Sequence, residues 1–201
     1  MGLKKNAPYI SIFLVVCNLV IFLICTFTGD LLYNIGDFSP YDFADRGEYY
    51  RIISSMFLHA DIRHLVNNML LLAGLGMMLE KETGHVRFLL LYLLSGLGGQ
   101  ALSLLNKFLQ DQWYTASIGA SGAVFGLVGV LLAMSLCLAG RLHNVTWKRI
   151  VFMVVYSVYS GVQAADIDNA AHIGGFLSGL LLGLLLCVRI RLQDRKRNRN
   201  F

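Results

Sequence analysis

Six apolar runs separated by short polar segments constrain this chain more than any other feature. A helix needs about 20 mostly apolar residues to cross the hydrocarbon core of a bilayer, and each run is close to that length. The 201 residues are 56% hydrophobic and 14% charged, which leaves no room for a separate soluble domain. The predicted fold is a single all-α membrane domain over residues 1–201, with six transmembrane helices at about 9–27, 64–78, 86–105, 117–138, 147–159 and 170–188.

The two sides of this bundle differ in charge. An even number of spans places both termini on one side, and that side carries 13 of the 17 Lys and Arg residues. Positive residues are enriched in cytoplasmic loops, so both termini are predicted to be cytoplasmic. The basic tail over residues 189–201 is interpreted as a stop-transfer anchor to the lipid bilayer, with a specific partner site as the alternative.

The arrangement of charged and apolar residues disfavours a nucleic-acid-binding protein and a cleaved signal peptide. The net charge of +5 does not indicate a nucleic-acid partner, because the basic residues flank apolar runs and form no groove with interleaved aromatic residues. The N-terminal run resembles a signal peptide, but its length and the absence of an A-x-A cleavage site favour a retained helix.

The long first outer loop, residues 28–61, mixes aromatic and polar residues and is predicted to lie partly at headgroup level.

Polar residues within three of the spans are the candidates for chemistry, since such groups are expensive in a membrane. They are His64 and Asn68 in HLVNN, Ser121 in SIGASGAVFG and His172 in AAHIGGFLSG. All three spans run from the outside inward in the predicted topology, so each candidate lies near an outer end. A serine hydroxyl becomes a nucleophile when a neighbouring base accepts its proton, and histidine is the usual base.

The remaining requirement of such a site is a set of donors for the oxyanion that forms when a carbonyl is attacked. His64 and Asn68 are an i, i+4 pair on one helix face, and the Ser121 backbone N–H at a helix start adds a third donor. Phe125 lies one turn after Ser121 and is placed to stack on the His172 imidazole. Glycines at helix-packing spacing allow the two catalytic helices to touch; they are Gly122, Gly126, Gly129, Gly175, Gly179 and Gly183.

Each signal also has a structural interpretation when it is taken alone. A serine in an apolar helix commonly bonds to its own backbone. Glycine spacing is a common packing device, and a membrane histidine can be satisfied within the bundle. The prediction depends on the joint pattern.

That joint pattern resembles the rhomboid protease family, through GASG around Ser121, HLVNN and AHIGGFLSG around His172. The resemblance implies a bacterial-type, six-helix serine endopeptidase that hydrolyses peptide bonds in or near transmembrane segments. It implies a dyad of Ser121 as nucleophile and His172 as general base and then acid, with no metal or cofactor. His64, Asn68 and the Ser121 amide would form the oxyanion hole. Supporting positions by the same resemblance are Gly119, Gly122, Phe125, Gly175, Gly179, Arg51, His59 and Glu80.

The resemblance also implies what the enzyme acts on and where. Substrates would be single-span membrane proteins that enter laterally between the second and fifth spans, with residues 157–168 acting as a gate. The location would be the cell membrane if the protein is bacterial. The sequence departs from the family at Tyr50, where many members have Trp, and at Phe125, where the bacterial type has Tyr, and both replacements keep an aromatic ring.

Several alternatives accompany this prediction. The first is a catalytically inactive rhomboid-like protein that binds membrane helices, but such proteins lack the serine or the histidine. A small transporter would carry paired ionisable groups across the full depth of the membrane, and a metalloprotease would carry HExxH. Asp166 and Asp168 precede His172 and are predicted to lie in a solvent-facing loop, outside the dyad.

Overall fold

The computed structural model describes residues 7–138, 148, 151–152, 155–156, 159 and 168–199. Within these ranges the chain is helical, with an isolated antiparallel bridge between Phe38 and Ser117 and no longer strand. This confirms the all-α class. A 3₁₀ turn, Ser55–Phe57, follows α4. The helices are α1 (Tyr9–Thr28), α2 (Leu31–Gly36), α3 (Pro40–Ala44), α4 (Arg51–Ser54), α5 (Ile62–Thr83), α6 (His85–Leu109), α7 (Ser121–Cys137) and α8 (Asn169–Arg199).

Four of the described helices are long and apolar enough to cross a membrane: α1, α5, α6 and the Asn169–Asp194 part of α8. α7 is equally apolar but has only 17 residues. At 1.5 Å per residue it rises about 25 Å, less than the roughly 30 Å of hydrocarbon in a bilayer. α7 is therefore too short to cross the hydrocarbon alone, which leaves room within the bundle for a loop at its Ser121 end. The predicted span over 147–159 lies outside the described residues, apart from single positions.

The start of α7 differs from the prediction, and the difference matters for the site. The helix begins at Ser121, four residues later than the sequence pattern predicts. Ser117 is extended chain, and its N–H donates to the carbonyl oxygen of Phe38 at 2.7 Å. Gly119 has a φ of 119°, which residues with a side chain rarely adopt, so the helix cannot continue back through it.

The other long helices extend beyond their predicted bounds. α5 begins at Ile62, because the Asp61 side chain accepts the N–H of His64 at 2.8 Å and caps the helix. α5 ends at Thr83, because the next residue, Gly84, has a φ of 84° that stops the helix, and α6 begins at His85. α8 continues to Arg199, so the described part of the basic tail is helical.

The predicted outer loop, residues 28–61, contains α2, α3, α4 and the 3₁₀ turn, and Arg51 holds it together. The Arg51 side chain is buried and pairs with Asp37 at 2.8 Å and with Glu48 at 2.5 Å. It also donates to the carbonyl oxygen of Asn34 at 2.8 Å. Arg51 therefore ties three parts of the loop to one point.

α7 packs between α6 and α8, and most of its apolar side chains are buried, although Leu136 near its end is exposed. Its contact with α8 is backbone against backbone. A Cβ added to Gly175 would lie 1.9 Å from the carbonyl oxygen of Gly122, and one added to Gly179 would lie 1.9 Å from that of Gly126. The predicted close approach of these two helices is present.

At the opposite end of α5, Glu80 joins α1 to the bundle. Its buried carboxylate accepts the N–H groups of Ile10 at 2.9 Å and Ser11 at 2.8 Å. The Ser11 hydroxyl and the His85 ring also bind it. Glu80 therefore acts in helix packing, far along α5 from His64.

Candidate active site

Ser121 occupies the first position of α7, at the end of a loop that other segments hold in place. The N–H of Gly119 donates to the carbonyl oxygen of Ser55 at 2.9 Å. The Ser55 hydroxyl in turn accepts a hydrogen bond from Nε2 of Gln100 at 3.0 Å. Ala120 supplies no side-chain cap to α7. Because the first amides of a helix have no partner within it, the Ser121 N–H is a candidate donor to a reacting group.

His172 lies in the first turn of α8, where its N–H donates to the carbonyl oxygen of Asp168 at 3.2 Å. Its imidazole stacks on the ring of Phe125, with 4.2 Å between centroids and 7° between planes. Phe125 lies one turn after Ser121, so the stack places the imidazole beside the first turn of α7. The predicted stacking is therefore present.

The residues next to Ser121 and His172 in the sequence also touch. A Cβ built on Gly122 would lie 3.4 Å from the carbonyl oxygen of Ala171. Gly99 of α6 packs against the same point, since its Cβ would lie 2.7 Å from that oxygen. Small residues on three helices thus bring the starts of α7 and α8 together.

The His64 ring and the Ser121 hydroxyl both lie near the position that a Gly119 side chain would occupy. A Cβ built on Gly119 would lie 2.8 Å from His64 Nε2 and 3.7 Å from Ser121 Oγ. Asn68 lies one turn further along α5, and its side-chain N–H₂ donates to the carbonyl oxygen of His64 at 3.0 Å. That amide has two donors, so one is left for another acceptor. His64 therefore lies next to the start of α7, and Asn68 is bonded to it one turn further along α5.

His59 is completely buried behind this group. Its ring makes an edge contact with His64, with 5.0 Å between centroids. Burial, and next to it the neighbouring His64, lowers the pKa of His59 to about 3. The ring is therefore neutral at pH 7. The His59 carbonyl oxygen accepts the Tyr33 hydroxyl at 2.6 Å, which joins α2 to the same region.

Asp168 is not solvent-facing, and this part of the prediction is wrong. Its carboxylate accepts the Ser117 hydroxyl at 2.5 Å and the Ala171 N–H at 2.9 Å, and the Ser103 hydroxyl also donates to it. Among the described contacts, these groups and Lys107 bind the carboxylate, and no bond to the His172 ring completes a triad. Asp166 and the proposed gate at 157–168, except Tyr159 and Asp168, lie outside the described residues.

A small cavity beside Ser121 shows which residues the sequence reasoning missed. Its lining includes Gly119, Gly122, Met56, Gln100, Ser117 and Asp168. Ser117 is the first residue of SIGASGAVFG, but its spacing alone does not mark it as part of the site. Gln100 belongs to α6 and carries no motif. Its contact with Ser55 across the bundle connects it to the segment before Ser121, so no local spacing could have found it.

Two predicted supporting residues lie away from this cluster. Arg51 organises the outer loop, and Glu80 joins α1 to α5. Within the part of the chain that the structure describes, no group of three or more His, Cys, Asp or Glu side chains is arranged to hold a metal ion.

A family model described as the Rhomboid domain matches residues 46–189, which covers most of the chain and every residue of the cluster. The chain belongs to the rhomboid family. As a rhomboid, it is an integral membrane protein, in agreement with its apolar helices.

Plant and bacterial rhomboids are among its relatives. RHOMBOID-like protein 2 of Arabidopsis thaliana is 43% identical over 141 residues, 70% of this chain and 43% of that protein. Putative rhomboid protease YdcA of Bacillus subtilis is 34% identical over 167 residues, 82% of this chain and 75% of that protein. Rhomboid protease GluP of the same organism is 33% identical over 141 residues, 70% of this chain and 27% of that protein. The matched region spans less than half the length of the plant relatives.

Proposed function

We propose that this rhomboid is an intramembrane serine endopeptidase that hydrolyses peptide bonds in or near transmembrane segments of membrane proteins. The observation that carries the proposal is the flat stacking of His172 on Phe125, one turn from Ser121 at the start of α7. The proposal is also supported by two bacterial relatives, which are named rhomboid protease GluP and putative rhomboid protease YdcA.

The proposed reaction uses Ser121 and His172 as a dyad. The imidazole accepts the hydroxyl proton while Oγ attacks the substrate carbonyl, and it then protonates the leaving amine. Water then attacks the resulting ester while the imidazole accepts its proton, and the imidazole returns a proton to Ser121 Oγ as the acid product leaves. Phe125 keeps the imidazole in one orientation through both proton transfers.

The developing negative charge on the substrate oxygen needs donors, and three are proposed. These are His64 Nε2, the second N–H of the Asn68 amide and the Ser121 backbone N–H. Two observations support this choice: a Cβ added to Gly119 would lie 2.8 Å from His64 Nε2 and 3.7 Å from Ser121 Oγ, and Asn68 donates to the His64 carbonyl oxygen one turn along α5. Removal of one such donor from a serine hydrolase lowers kcat by about 100- to 1000-fold.

Substrates are proposed to be single-span proteins that enter between α5 and the segment around Tyr156. In this structure the two are joined, because the Tyr156 hydroxyl donates to Oδ1 of Asn67 at 2.9 Å. Entry from the bilayer requires this contact to open. The proposed location is the cell membrane, if the protein is bacterial, with both termini in the cytoplasm.

The experiment is cleavage of a model single-span substrate by the purified full chain in detergent. Ser121→Ala and His172→Ala are each expected to remove cleavage while leaving the thermal unfolding temperature close to wild type. Ser135→Ala is the matched control, since Ser135 lies on the same helix and bonds back to the Leu131 carbonyl oxygen at 2.6 Å. Normal cleavage by Ser121→Ala or His172→Ala contradicts the proposal. The alternative of a noncatalytic helix-binding rhomboid predicts binding of the substrate without any cut.

A further inference from the structure

Four polar side chains meet behind the site, and the proposed dyad does not use them. We call Ser103, Lys107, Ser117 and Asp168 the polar quartet; the first three are buried, and the Asp168 side chain is 23% exposed. Ser103 and Ser117 are joined at 3.1 Å, and the Ser117 hydroxyl donates to Oδ2 of Asp168 at 2.5 Å. The Lys107 ammonium lies 3.4 Å from the same oxygen and also donates to the Ser117 hydroxyl. Ser103, Lys107 and Ser117 are each at most 5% exposed.

The quartet joins three segments, two of which lead directly into the proposed catalytic residues. Asp168 is the residue before α8, and its Oδ1 accepts the Ala171 N–H at 2.9 Å, next to His172. Ser117 lies four residues before Ser121, in the extended segment that pairs with Phe38. Ser103 and Lys107 belong to α6, which packs against both α7 and α8.

The electrostatics of the cluster favour an ionised carboxylate. Burial alone would raise the pKa of Asp168, but hydrogen bonds from Ser103, Ser117 and the Ala171 amide, together with the charge of Lys107, hold it below its usual value. Such a buried ion pair is weak evidence for stability, because well-packed apolar residues in the same space are often equally stabilising. A charged cluster here therefore suggests a task in arranging the site.

We propose that Asp168 is a positioning residue for the dyad, because its two carboxylate oxygens tie the start of α8 to the segment that leads into α7. Oδ1 holds the first turn of α8, which carries His172, and Oδ2 holds Ser117. Lys107, which is buried, supplies the counter-charge to this partly buried carboxylate. This inference rests on the proposed function, since it assigns Asp168 a part in aligning Ser121 with His172.

The test separates alignment from stability by removing the charges one at a time and together. Asp168→Asn leaves Lys107 buried without its counter-ion, which lowers stability as well as activity. The double variant Lys107→Met/Asp168→Asn removes the lone charge, so its unfolding temperature is expected to return toward wild type. Its kcat is expected to stay about 100-fold below wild type, the loss that a displacement of about 1 Å produces in a reacting pair.

The measurements are kcat and KM for the model substrate, the rate of Ser121 labelling by a fluorophosphonate, and the unfolding temperature, all on the full chain. If Asp168 positions the dyad, kcat and the rate of Ser121 labelling are expected to fall together in the double variant, while KM changes less than about threefold. Asp111→Asn is the matched control, because it removes one exposed carboxylate from the segment between α6 and α7. It is expected to leave all three quantities unchanged.

A purely structural role predicts a different result, namely that kcat recovers together with the unfolding temperature in the double variant. That recovery, or wild-type kcat in Asp168→Asn, overturns the inference. If the double variant is itself unstable, Ser117→Ala decides, since it keeps the Lys107–Asp168 pair and removes the tie to α7 together with the Ser117 bonds to Ser103 and Lys107. A kcat within twofold of wild type in Ser117→Ala then overturns it, and a drop of tenfold or more at unchanged KM supports it.

Failure of the inference and failure of the proposed function give distinct results. If wild type cuts no more substrate than Ser121→Ala, the proposed function fails. If wild type cuts normally and the double variant does so equally, only the positioning role of Asp168 fails.

Discussion

Phe125 and His172 lie ring against ring at 4.2 Å, and this contact was predicted from the spacing of Phe125 and Ser121 together with the expected pairing of Ser121 with His172. Phe125 follows Ser121 by one helical turn, so its position relative to the nucleophile depends only on helix geometry. Asp168 was not predictable in the same way. Its partners Ser103 and Ser117 lie 65 and 51 residues away in the sequence, and Lys107 lies between those two. Charged residues in polar segments, such as Asp168, are usually exposed.

His59 gives a prediction about pH at the residue scale. The pKa of His59 is lowered to about 3 in the folded protein, so the folded state stays neutral while the unfolded state binds a proton below about pH 6.5. The free energy of unfolding therefore falls as the pH drops below about 6.5, by at most about 1.4 kcal/mol per pH unit from this one group.

The check is the unfolding temperature of wild type and His59→Leu in detergent between pH 7.5 and 4.5. Leucine fills the buried space without an ionisable group, so the variant is expected to lose less stability over this range than wild type. An identical pH dependence in the two proteins would show that His59 does not cause the acid sensitivity.

At the scale of helices, the sequence predicted which elements exist better than where they begin. The apolar runs located α1, α5, α6 and α8, because each carries enough apolar residues to cross the bilayer. The start of α7 was placed four residues too early, because Ser117–Ile118–Gly119–Ala120 continues the apolar composition of the helix. The positive φ of Gly119 and the pairing of Ser117 with Phe38 are tertiary features that composition does not reveal.

The α7–α8 contact gives a prediction about packing. A Cβ at Gly179 would lie 1.9 Å from the carbonyl oxygen of Gly126, which is backbone and cannot move aside without shifting a helix. Gly179→Ala is therefore expected to lower stability by about 1–3 kcal/mol or more and to reduce activity as the two helices separate.

Gly122→Ala on the facing helix is the matched control for stability. Its Cβ would lie 3.4 Å from the Ala171 carbonyl oxygen, an ordinary contact, and alanine favours a helix by about 1 kcal/mol over glycine. Thermal unfolding of both variants is the measurement. Equal unfolding temperatures for Gly179→Ala and wild type would show that these helices do not need to touch at this point.

At the scale of the whole molecule, α8 relates the bundle to the membrane. Its 31 residues rise about 46 Å, well beyond the roughly 30 Å of hydrocarbon, so its basic end extends past the apolar core. Because basic residues favour the cytoplasmic side, this end is expected to lie in the cytoplasm together with the N-terminus.

The measurement of topology is the activity of reporters fused to each end of the full chain in bacterial cells. Green fluorescent protein, which fluoresces in the cytoplasm, is expected to be bright at either end, and alkaline phosphatase, which is active outside, is expected to be inactive. An active phosphatase fusion after residue 201 would place the basic end of α8 outside and reverse the whole arrangement.

If His172 activates Ser121 as a nucleophile, a reagent that reacts with activated serines labels Ser121 covalently only when His172 is present. The purified full chain is treated with a fluorophosphonate, and the mass of the intact protein and the labelled peptide are measured. Wild type and Ser135→Ala are expected to gain one adduct, located on Ser121, while Ser121→Ala and His172→Ala gain none. Wild type without an adduct, or Ser121→Ala labelled to the same extent as wild type, would contradict the account.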